Sequence, residues 1–316
     1  MPSWTVDSPV NMDFDDVTTL NVRLIGGTVA VLAAGDKPSL EVTEVRGRPL
    51  QVEYSSGTLT ISYEKLSWER LLDLLKPMND RASVTVAVPA DCPVQLGVVS
   101  ASALVSGLSA GTSVKGVSGD ITLDGIAGAV VANTVSGELL ARDIDGTVRF
   151  ATVSGELTLA DSALSGLSAE SVSGRVTADV TLDSTGSASV STVAGDVTLR
   201  LPADSDAAVR LNTVSGKVAT EFASLQVRKA PASRVVFGNV GAGTGHVSIS
   251  TLSGAITLLR CPDRRTMPDR GDNPSGVGPQ YFPGRHPRTP QPPRRSASGP
   301  RAQDLRDQAG MESETR

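Results

Sequence analysis

The sequence predicts an all-β solenoid, a fold in which short strands wind into stacked coils. The first observation behind this prediction is a recurring Val-Ser-Gly triplet with two close variants, Val-Ala-Gly and Leu-Ser-Gly. A repeat of roughly 20 residues is typical of solenoids, because one unit cannot bury its own apolar face and its neighbours must stack against it. The triplets end at the following glycines, which are 18, 18, 19, 21, 21 and 38 residues apart: Gly119, Gly137, Gly155, Gly174, Gly195, Gly216 and Gly254.

The spacing within a repeat supports the same fold. Additional glycines halve the first repeats, so that five glycines are nine residues apart: Gly119, Gly128, Gly137, Gly146 and Gly155. Each 18-residue unit is therefore predicted to hold two short strands and two glycine turns, which together make one coil of a β-helix. The third observation is the alternation of polar and apolar residues after each glycine, which indicates a strand buried on one side.

Stacked coils place equivalent residues in rows, and the alternation predicts two interior rows. The first row follows the glycines and contains Ile121, Leu139, Leu157, Val176, Val197, Val218 and Ile256. The second row is formed by the first residue of each triplet: Val117, Val135, Val153, Val172, Val193, Val214 and Leu252. Each repeat glycine is predicted at a corner that needs positive φ, or where neighbouring coils crowd the backbone. The serines that precede them are predicted to stack along an edge.

A β-sandwich of hairpins is the alternative, since short strands separated by turn residues also indicate that fold. Hairpins give no reason for the same residue types to recur in phase over six or more units, so the solenoid is favoured. Aromatic residues make up only 3% of the chain, and the core must therefore be built from Val, Leu, Ile and Ala, which suits narrow coils.

The composition also limits the possible functions. The formal net charge of −5 gives no general reason to expect nucleic acid. Cys92 and Cys261 are far apart in sequence and offer neither a disulfide framework nor a metal cluster, and no cofactor is predicted. The N-terminus lacks the basic and apolar regions of a signal peptide, and no run of 18 apolar residues predicts a transmembrane segment. The expected location is the cytoplasm.

Residues 1–65 are predicted to form irregular N-terminal β coils. Gly26-Gly27 and Ser56-Gly57 are each followed by the same alternation as the later glycines, and are taken as early coils rather than hairpin turns. Residues 66–77 interrupt this pattern and predict a short amphipathic helix that Pro77 helps to end. Its apolar face either covers the solenoid or docks a partner, and the candidate docking residues are Trp68, Leu71, Leu72 and Leu75.

Residues 78–259 are assigned to the β-solenoid repeats, with an irregular stretch at 223–244 that is read as an inserted loop or edge strand. The tail, residues 260–316, holds ten of the 19 prolines and has 11 basic and seven acidic residues, a net charge of +4. Subtracting +4 from the total of −5 leaves −9 for the β-region. Many prolines and charges with little hydrophobicity predict a disordered, Pro- and Arg-rich tail.

Several of these features together resemble a known family. The opening segment 2–6, the helix with Trp68, the pair Val88-Pro89 and the series of Thr-Val-Ser-Gly-Asp/Glu units are similar to actinobacterial members of domain-of-unknown-function family 4097. Members of this family also carry the labels "putative adhesin" and β-strand repeat protein. The resemblance covers roughly residues 2–260 and implies a single-stranded right-handed parallel β-helix. It implies no catalytic residues.

The clearest candidate for chemistry is a row of carboxylates. Asp120, Glu138 and Glu156 occupy the exposed position after the glycine on successive units, which is the kind of flank that β-helical polysaccharide lyases and hydrolases use. Arg175, Asp196 and Lys217 continue the row with no consistent sign, so a solvated face is the favoured interpretation.

The expected function is a non-enzymatic interaction scaffold with an unidentified protein partner, in envelope-stress or membrane-linked regulation. The alternatives are a carbohydrate-binding or carbohydrate-processing β-helix, a surface adhesin, and self-association into filaments through exposed coil ends.

Overall fold

The computed structural model describes residues 2–35, 37–63, 80–230 and 233–261. These residues form strands and connecting turns, and no helix occurs among them. Twenty strands are described: β1 (Ser3–Val6), β2 (Val10–Asp13), β3 (Thr19–Ala33), β4 (Ser39–Arg46), β5 (Leu50–Ser55), β6 (Thr58–Tyr63), β7 (Arg81–Val88), β8 (Val94–Ser106), β9 (Thr112–Gly116), β10 (Ile121–Asn133), β11 (Glu138–Thr152), β12 (Glu156–Ser171), β13 (Val176–Thr192), β14 (Val197–Pro202), β15 (Ala207–Thr213), β16 (Val218–Thr220), β17 (Gln226–Ala230), β18 (Ser233–Val240), β19 (Gly245–Thr251) and β20 (Ile256–Cys261).

The strands form a β-solenoid-like stack, in which each coil pairs with the next through parallel ladders. β10 pairs with β11 in register Ile121↔Leu139, β11 with β12, and β12 with β13. These long strands contribute to two sides of the stack. The first side holds the segments that follow the repeat glycines, such as 121–124, and the second side holds the segments that precede the next triplet, such as 130–133.

The first predicted interior row is confirmed. Ile121, Leu139, Leu157, Val176 and Val197 are each only 1% exposed. Ile256 is fully buried, and Val218 is half-buried at the end of the row. Because strand side chains alternate between faces, this row faces the interior and the Thr-rich positions between its members face outward. The core is mainly aliphatic, as the low aromatic content predicts, with a few buried aromatic residues such as Tyr63 and Phe150.

The second predicted interior row is wrong. Six of its seven members, Val135, Val153, Val172, Val193, Val214 and Leu252, are 44–52% exposed, and Val117 is half-buried. The residue before each of these six is buried instead: Thr134, Thr152, Ser171, Thr192, Thr213 and Thr251. At the corner the alternation of inward and outward side chains is shifted by one residue, so that the hydroxyl residue points inward and the residue after it points outward.

The order of the coils in space departs from the order in sequence at the C-terminal end. β14 pairs with β20, and β20 pairs in turn with β16; on the second side β13 pairs with β19, and β19 with β15. The last coil in sequence, β19–β20, therefore lies between β13–β14 and β15–β16. Sequence position alone predicts the opposite order for the last two repeats.

The N-terminal end has a similar arrangement. β3 lies between β8 on one edge and β6 and β7 on the other, all parallel to it. The expectation for Gly26-Gly27 is confirmed, since both lie inside β3 within these parallel ladders. The expectation for Ser56-Gly57 is wrong, because these residues form a two-residue hairpin turn between β5 and β6. Their φ values of 47° and 76° are the left-handed pair that tight hairpins require.

Both ends of the stack finish in antiparallel strands. At the N-terminal end β4 and β2 follow β7, while β5 and β1 follow β6. At the other end β18 and then β17 pair antiparallel beyond β15, and they form the edge strand expected within 223–244. The outermost strands β1, β2 and β17 are short, with four, four and five residues, and short edge strands disfavour pairing with another molecule.

Two of the predicted segments fall wholly or mostly outside the described residues. The helix at 66–77, with Trp68, Leu71, Leu72 and Leu75, lies outside them, and of the predicted tail at 260–316 only Arg260 and Cys261 are described, as the end of β20. Within the described ranges, no helix has the length and apolar character needed to cross a membrane. Cys92 is buried, Cys261 is half-buried, and both are free thiols.

Candidate functional site

The repeat corner is built around a buried hydroxyl. At five of the repeat corners a buried threonine or serine turns inward, and its oxygen accepts a hydrogen bond from the glycine N–H three residues later. At the preceding corner, the buried hydroxyl of Thr134 instead donates to the hydroxyl of Thr152 at 3.0 Å. The N···O distances are 2.9 Å at Thr152–Gly155, 2.8 Å at Ser171–Gly174 and 2.9 Å at Thr192–Gly195. The same bond is 3.0 Å long at Thr213–Gly216 and at Thr251–Gly254. A buried backbone N–H needs such a partner, so the hydroxyl occupies the inward position.

The serine of the triplet joins neighbouring coils. The backbone N–H of Ser154 donates to the carbonyl of Val135 at 2.9 Å, and its Oγ donates to the same oxygen at 3.3 Å. Ser136 makes the equivalent pair of bonds to Val117. The predicted serine edge is therefore confirmed, and each serine closes its coil against the one before it.

The repeat glycines are required by close approach of the coils. A Cβ on Gly174 would lie 1.7 Å from the carbonyl oxygen of Gly155, and one on Gly195 would lie 1.9 Å from that of Gly174. Gly119 and Gly137 also have positive φ, at 112° and 104°. Both predicted reasons for the glycines therefore apply, and crowding is the general one. Following these contacts orders the glycines in space as Gly119, Gly137, Gly155, Gly174, Gly195, Gly254 and Gly216.

The corner leaves an apolar row on the surface. Since the threonine points inward, the next residue points out, and the outcome is a line of half-exposed aliphatic side chains. We call this line the valine ridge; in spatial order it consists of Val135, Val153, Val172, Val193, Leu252 and Val214. Neighbouring strands are about 4.8 Å apart, so six rungs extend the ridge over about 24 Å.

A row of charged residues runs beside the ridge, three positions further along each coil. Asp120, Glu138 and Glu156 are on successive rungs and are exposed. The backbone N–H of Glu138 donates to Asp120 at 3.3 Å, and Arg175 lies 4.0 Å from the Glu156 carboxylate. No group of three or more metal-binding side chains is found in the described part of the chain. The row is a solvated, mainly acidic border of the ridge.

A buried polar cluster lies where the described chain breaks between Tyr63 and Asp80. Asp80 is 7% exposed, and Arg48 donates to it from the backbone N–H at 2.7 Å and from Nε at 2.9 Å. The Arg48 guanidinium lies 5.8 Å from the Tyr63 ring centre. Burial, reinforced by the negative charge of Asp80, raises the pKa of Tyr63 to about 12. The cluster ties together the two strands on either side of residues 64–79.

The predicted docking residues and the ridge are different sets of residues. The repeat glycines lie at the corners, as predicted, while Trp68, Leu71, Leu72 and Leu75 lie outside the described residues. The ridge was missed because its residues were assigned to the interior. The sequence does carry a signal for it, namely the hydroxyl residue that recurs three positions before the glycine.

A family model described as Toastrack DUF4097 matches residues 17–259, which is more than half of the 316 residues. The chain belongs to this family. The resemblance read from the repeat units is thereby confirmed, and the all-β, solenoid-like architecture of this Toastrack chain agrees with it. None of the curated proteins matches the chain.

Several solved structures are similar to this Toastrack chain at low identity. A "putative lipid binding protein" from Parabacteroides distasonis is 13% identical with a TM-score of 0.41, and the match covers 79% of this chain and 96% of that one. A "putative adhesin" from Bacteroides fragilis is 13% identical with a TM-score of 0.39, covering 80% and 97%. A "putative cell adhesion protein" from Clostridium sporogenes is 13% identical with a TM-score of 0.22, covering 80% and 100%. Similarities this distant carry no argument about what this chain binds.

Proposed function

We propose that the protein is a non-enzymatic interaction scaffold and that the valine ridge is the surface on which a protein partner docks. The observation that supports this is the ridge itself: six aliphatic side chains, each 44–52% exposed, aligned on consecutive rungs. Single exposed aliphatic residues are ordinary, whereas a contiguous apolar row with a polar border is typical of an interaction surface. A rigid coil stack holds the row straight without further ordering cost on binding.

The charges beside the ridge specify the chemistry of the partner. Asp120, Glu138 and Glu156 border one end of the row, and Arg175 is the first cation along it. A matching partner presents an apolar strip with basic side chains toward the Asp120 end. Such complementarity sets orientation and association rate more than affinity.

The proposal includes the finer geometry and the location. A right-handed, single-stranded winding is supported by the strong preference of parallel crossover connections for that hand. A cytoplasmic location is supported by the two free cysteines, which suit a reducing compartment. A role in envelope-stress or membrane-linked regulation is part of the same proposal. Fractionation of the native cells checks the location, and recovery of the protein outside the cell would contradict it.

The test is affinity capture of the tagged full chain from its own cells, with mass spectrometry. The ridge variant carries Val153→Lys and Val172→Lys. The matched control is Leu140→Lys, because Leu140 is also exposed, at 38%, but lies on the first side of the stack away from the ridge. We expect a partner that is captured by the wild type and the control and lost from the ridge variant, with unchanged circular dichroism in all three.

Two further outcomes would overturn the proposal. A chain with Trp68→Ser and Leu72→Ser forms a fourth arm, and loss of the partner in this arm alone would assign docking to residues 66–77 instead of the ridge. Turnover on a panel of glycans that disappears in Glu138→Gln or Glu156→Gln would establish a carbohydrate-active enzyme and end the non-enzymatic proposal.

A further inference from the structure

A separate surface on the second side of the stack carries two cationic side chains with an open space between them. Three adjacent parallel strands, β3, β8 and β9, build it, and each contributes two outward residues. The register aligns these residues in two rows of three, Asn21–Gln95–Ser113 and Arg23–Gly97–Lys115. Their outward direction follows from the alternation, since Val22, Leu96 and Val114 on the same strands are buried in the core.

The six residues enclose a small notch. Its cavity volume is about 70 Å³, and it is lined by these six residues together with Val22 and Leu96 of the strands beneath. A single water-sized group needs roughly 10–15 Å³, so the notch has room for a phosphate or sulfate group, whose covalently bonded atoms take less space than the same number of separate water molecules. Gly97 has no side chain, and it leaves the space between Arg23 and Lys115 open.

The charge distribution makes this notch distinct from the rest of the coil stack. No carboxylate lines it, although the β-region as a whole has a net charge of −9. Neither Arg23 nor Lys115 makes an ion pair with any residue that the structure describes. The next rungs beyond the two cations carry Ser62 and Asn133, which are also neutral.

We propose that this notch binds one tetrahedral oxyanion, the phosphate or sulfate group of a ligand. Arg23 and Lys115 are two rungs apart, about 10 Å between their Cα atoms, so a group seated over Gly97 lies within reach of both side chains. The guanidinium supplies a planar pair of N–H donors, and the ammonium supplies a compact charge from the opposite side. Asn21, Gln95 and Ser113 add neutral donors along the second row. The site shares no residue with the valine ridge, so failure of the docking proposal would not contradict the anion site, and the reverse also holds.

The experiment measures binding of inorganic phosphate and of inorganic sulfate to the full chain by isothermal titration calorimetry in about 0.1 M sodium chloride, where the screening length is about 10 Å. Arg23→Gln and Lys115→Gln each remove one charge from the notch. Because hydrogen bonds to charged groups are strong, we expect each to raise Kd at least about tenfold. The matched control is Arg149→Gln, which removes an exposed cation from the same side of the stack, two rungs beyond Ser113. We expect this control to change Kd less than about twofold, since screening weakens distant charges.

A fourth variant tests the geometry rather than the net charge. Gly97→Asp keeps both cations and places a carboxylate between them, and we expect it to abolish anion binding while circular dichroism shows the chain folded. Absence of phosphate and sulfate binding by the wild type, retained binding in folded Gly97→Asp, or equal losses in Arg23→Gln and Arg149→Gln would each overturn the site.

Vesicles distinguish a lipid headgroup from a soluble ligand. Sedimentation with phosphatidylcholine vesicles that contain phosphatidate, abolished by Lys115→Gln, would support the site with a lipid phosphate as ligand. Binding of inorganic phosphate without sedimentation would support the site with a soluble phosphorylated or sulfated ligand.

Discussion

Replacing Gly174 with alanine tests whether crowding of neighbouring coils explains the repeat glycines. The new Cβ would lie 1.7 Å from the carbonyl oxygen of Gly155, and real Cβ atoms essentially never come closer than 3.0 Å to such an atom. The two coils must therefore separate locally by 3.0 − 1.7 = 1.3 Å. Backbone strain plays no part here, because Gly174 does not have the positive φ found at Gly119 and Gly137.

The cost of this separation follows from the bonds that it breaks. Forcing extra volume into a packed site costs about 1–3 kcal/mol. The same corner holds the bond from Ser173 N–H to Val153 at 2.9 Å and the bond from Leu157 N–H to Arg175 at 2.9 Å. Losing or stretching two such bonds adds about 0.5–1.5 kcal/mol each. We therefore expect Gly174→Ala to lower the free energy of unfolding by about 4 kcal/mol, a large share of the stability of a typical domain.

The assay is urea denaturation followed by circular dichroism, with Gly166→Ala as the matched control. Gly166 is on the same coil, and a Cβ there would meet nothing closer than Thr147 at 3.6 Å, an ordinary contact. The control should leave the free energy of unfolding within about 1 kcal/mol of the wild type, and reduced entropy of the unfolded chain can even raise it. A loss below about 1 kcal/mol in Gly174→Ala, or equal losses in both variants, would refute the crowding argument.

Two further predictions concern buried polar groups. Thr192→Val keeps the shape of the side chain but leaves the Gly195 N–H without its acceptor, so urea denaturation should show the free energy of unfolding lowered by about 1–3 kcal/mol. Thr192→Ser, which matches the natural Ser171, should stay near the wild type. Equal stability of all three chains would contradict the role of the hydroxyl. Tyr63 has a pKa of about 12 in the folded chain against 10.0 for an ordinary tyrosine. Above pH 10 the unfolded chain therefore loses the tyrosine proton more readily than the folded chain does. The contribution of Tyr63 to the free energy of unfolding is thus intact below pH 10 and is lost as the pH rises through 12. Cys92, whose pKa burial raises to about 11, titrates in an overlapping range, and the measurement is therefore made in a Cys92→Ala background, where Tyr63→Phe should flatten the fall in stability between pH 10 and pH 12.

Much of the fold could be predicted from the sequence, because the coil is a local pattern repeated in phase. The row from Ile121 to Ile256 follows directly from the alternation after each glycine, and the stacking of equivalent positions follows from the period. The second row failed because an alternation of two cannot be counted through a corner. Thr152 accepts a hydrogen bond from Gly155, and this bond, rather than hydrophobicity, decides that the threonine points inward and Val153 outward.

The order of the strands was harder to predict for a different physical reason. All the repeats present the same edge, so any coil can in principle stack on any other. The position of β19–β20 inside β15–β16 depends on the connection between them, and β17 and β18 occupy that connection. The notch at Arg23 and Lys115 was equally inaccessible to sequence reasoning, since its strands begin at residues 19, 94 and 112 and only the register brings them together.

The reversed order of the last two coils has a mechanical consequence. The described chain ends at Cys261 on β20, and β20 is hydrogen-bonded to β14 along one edge and to β16 along the other. Tension applied through the C-terminus therefore loads an inner strand in shear, so several hydrogen bonds must break together. In a stack whose last strand is outermost, the same tension would peel the coils away one bond at a time. The coil stack should therefore resist opening when tension is applied at the C-terminal end of β20.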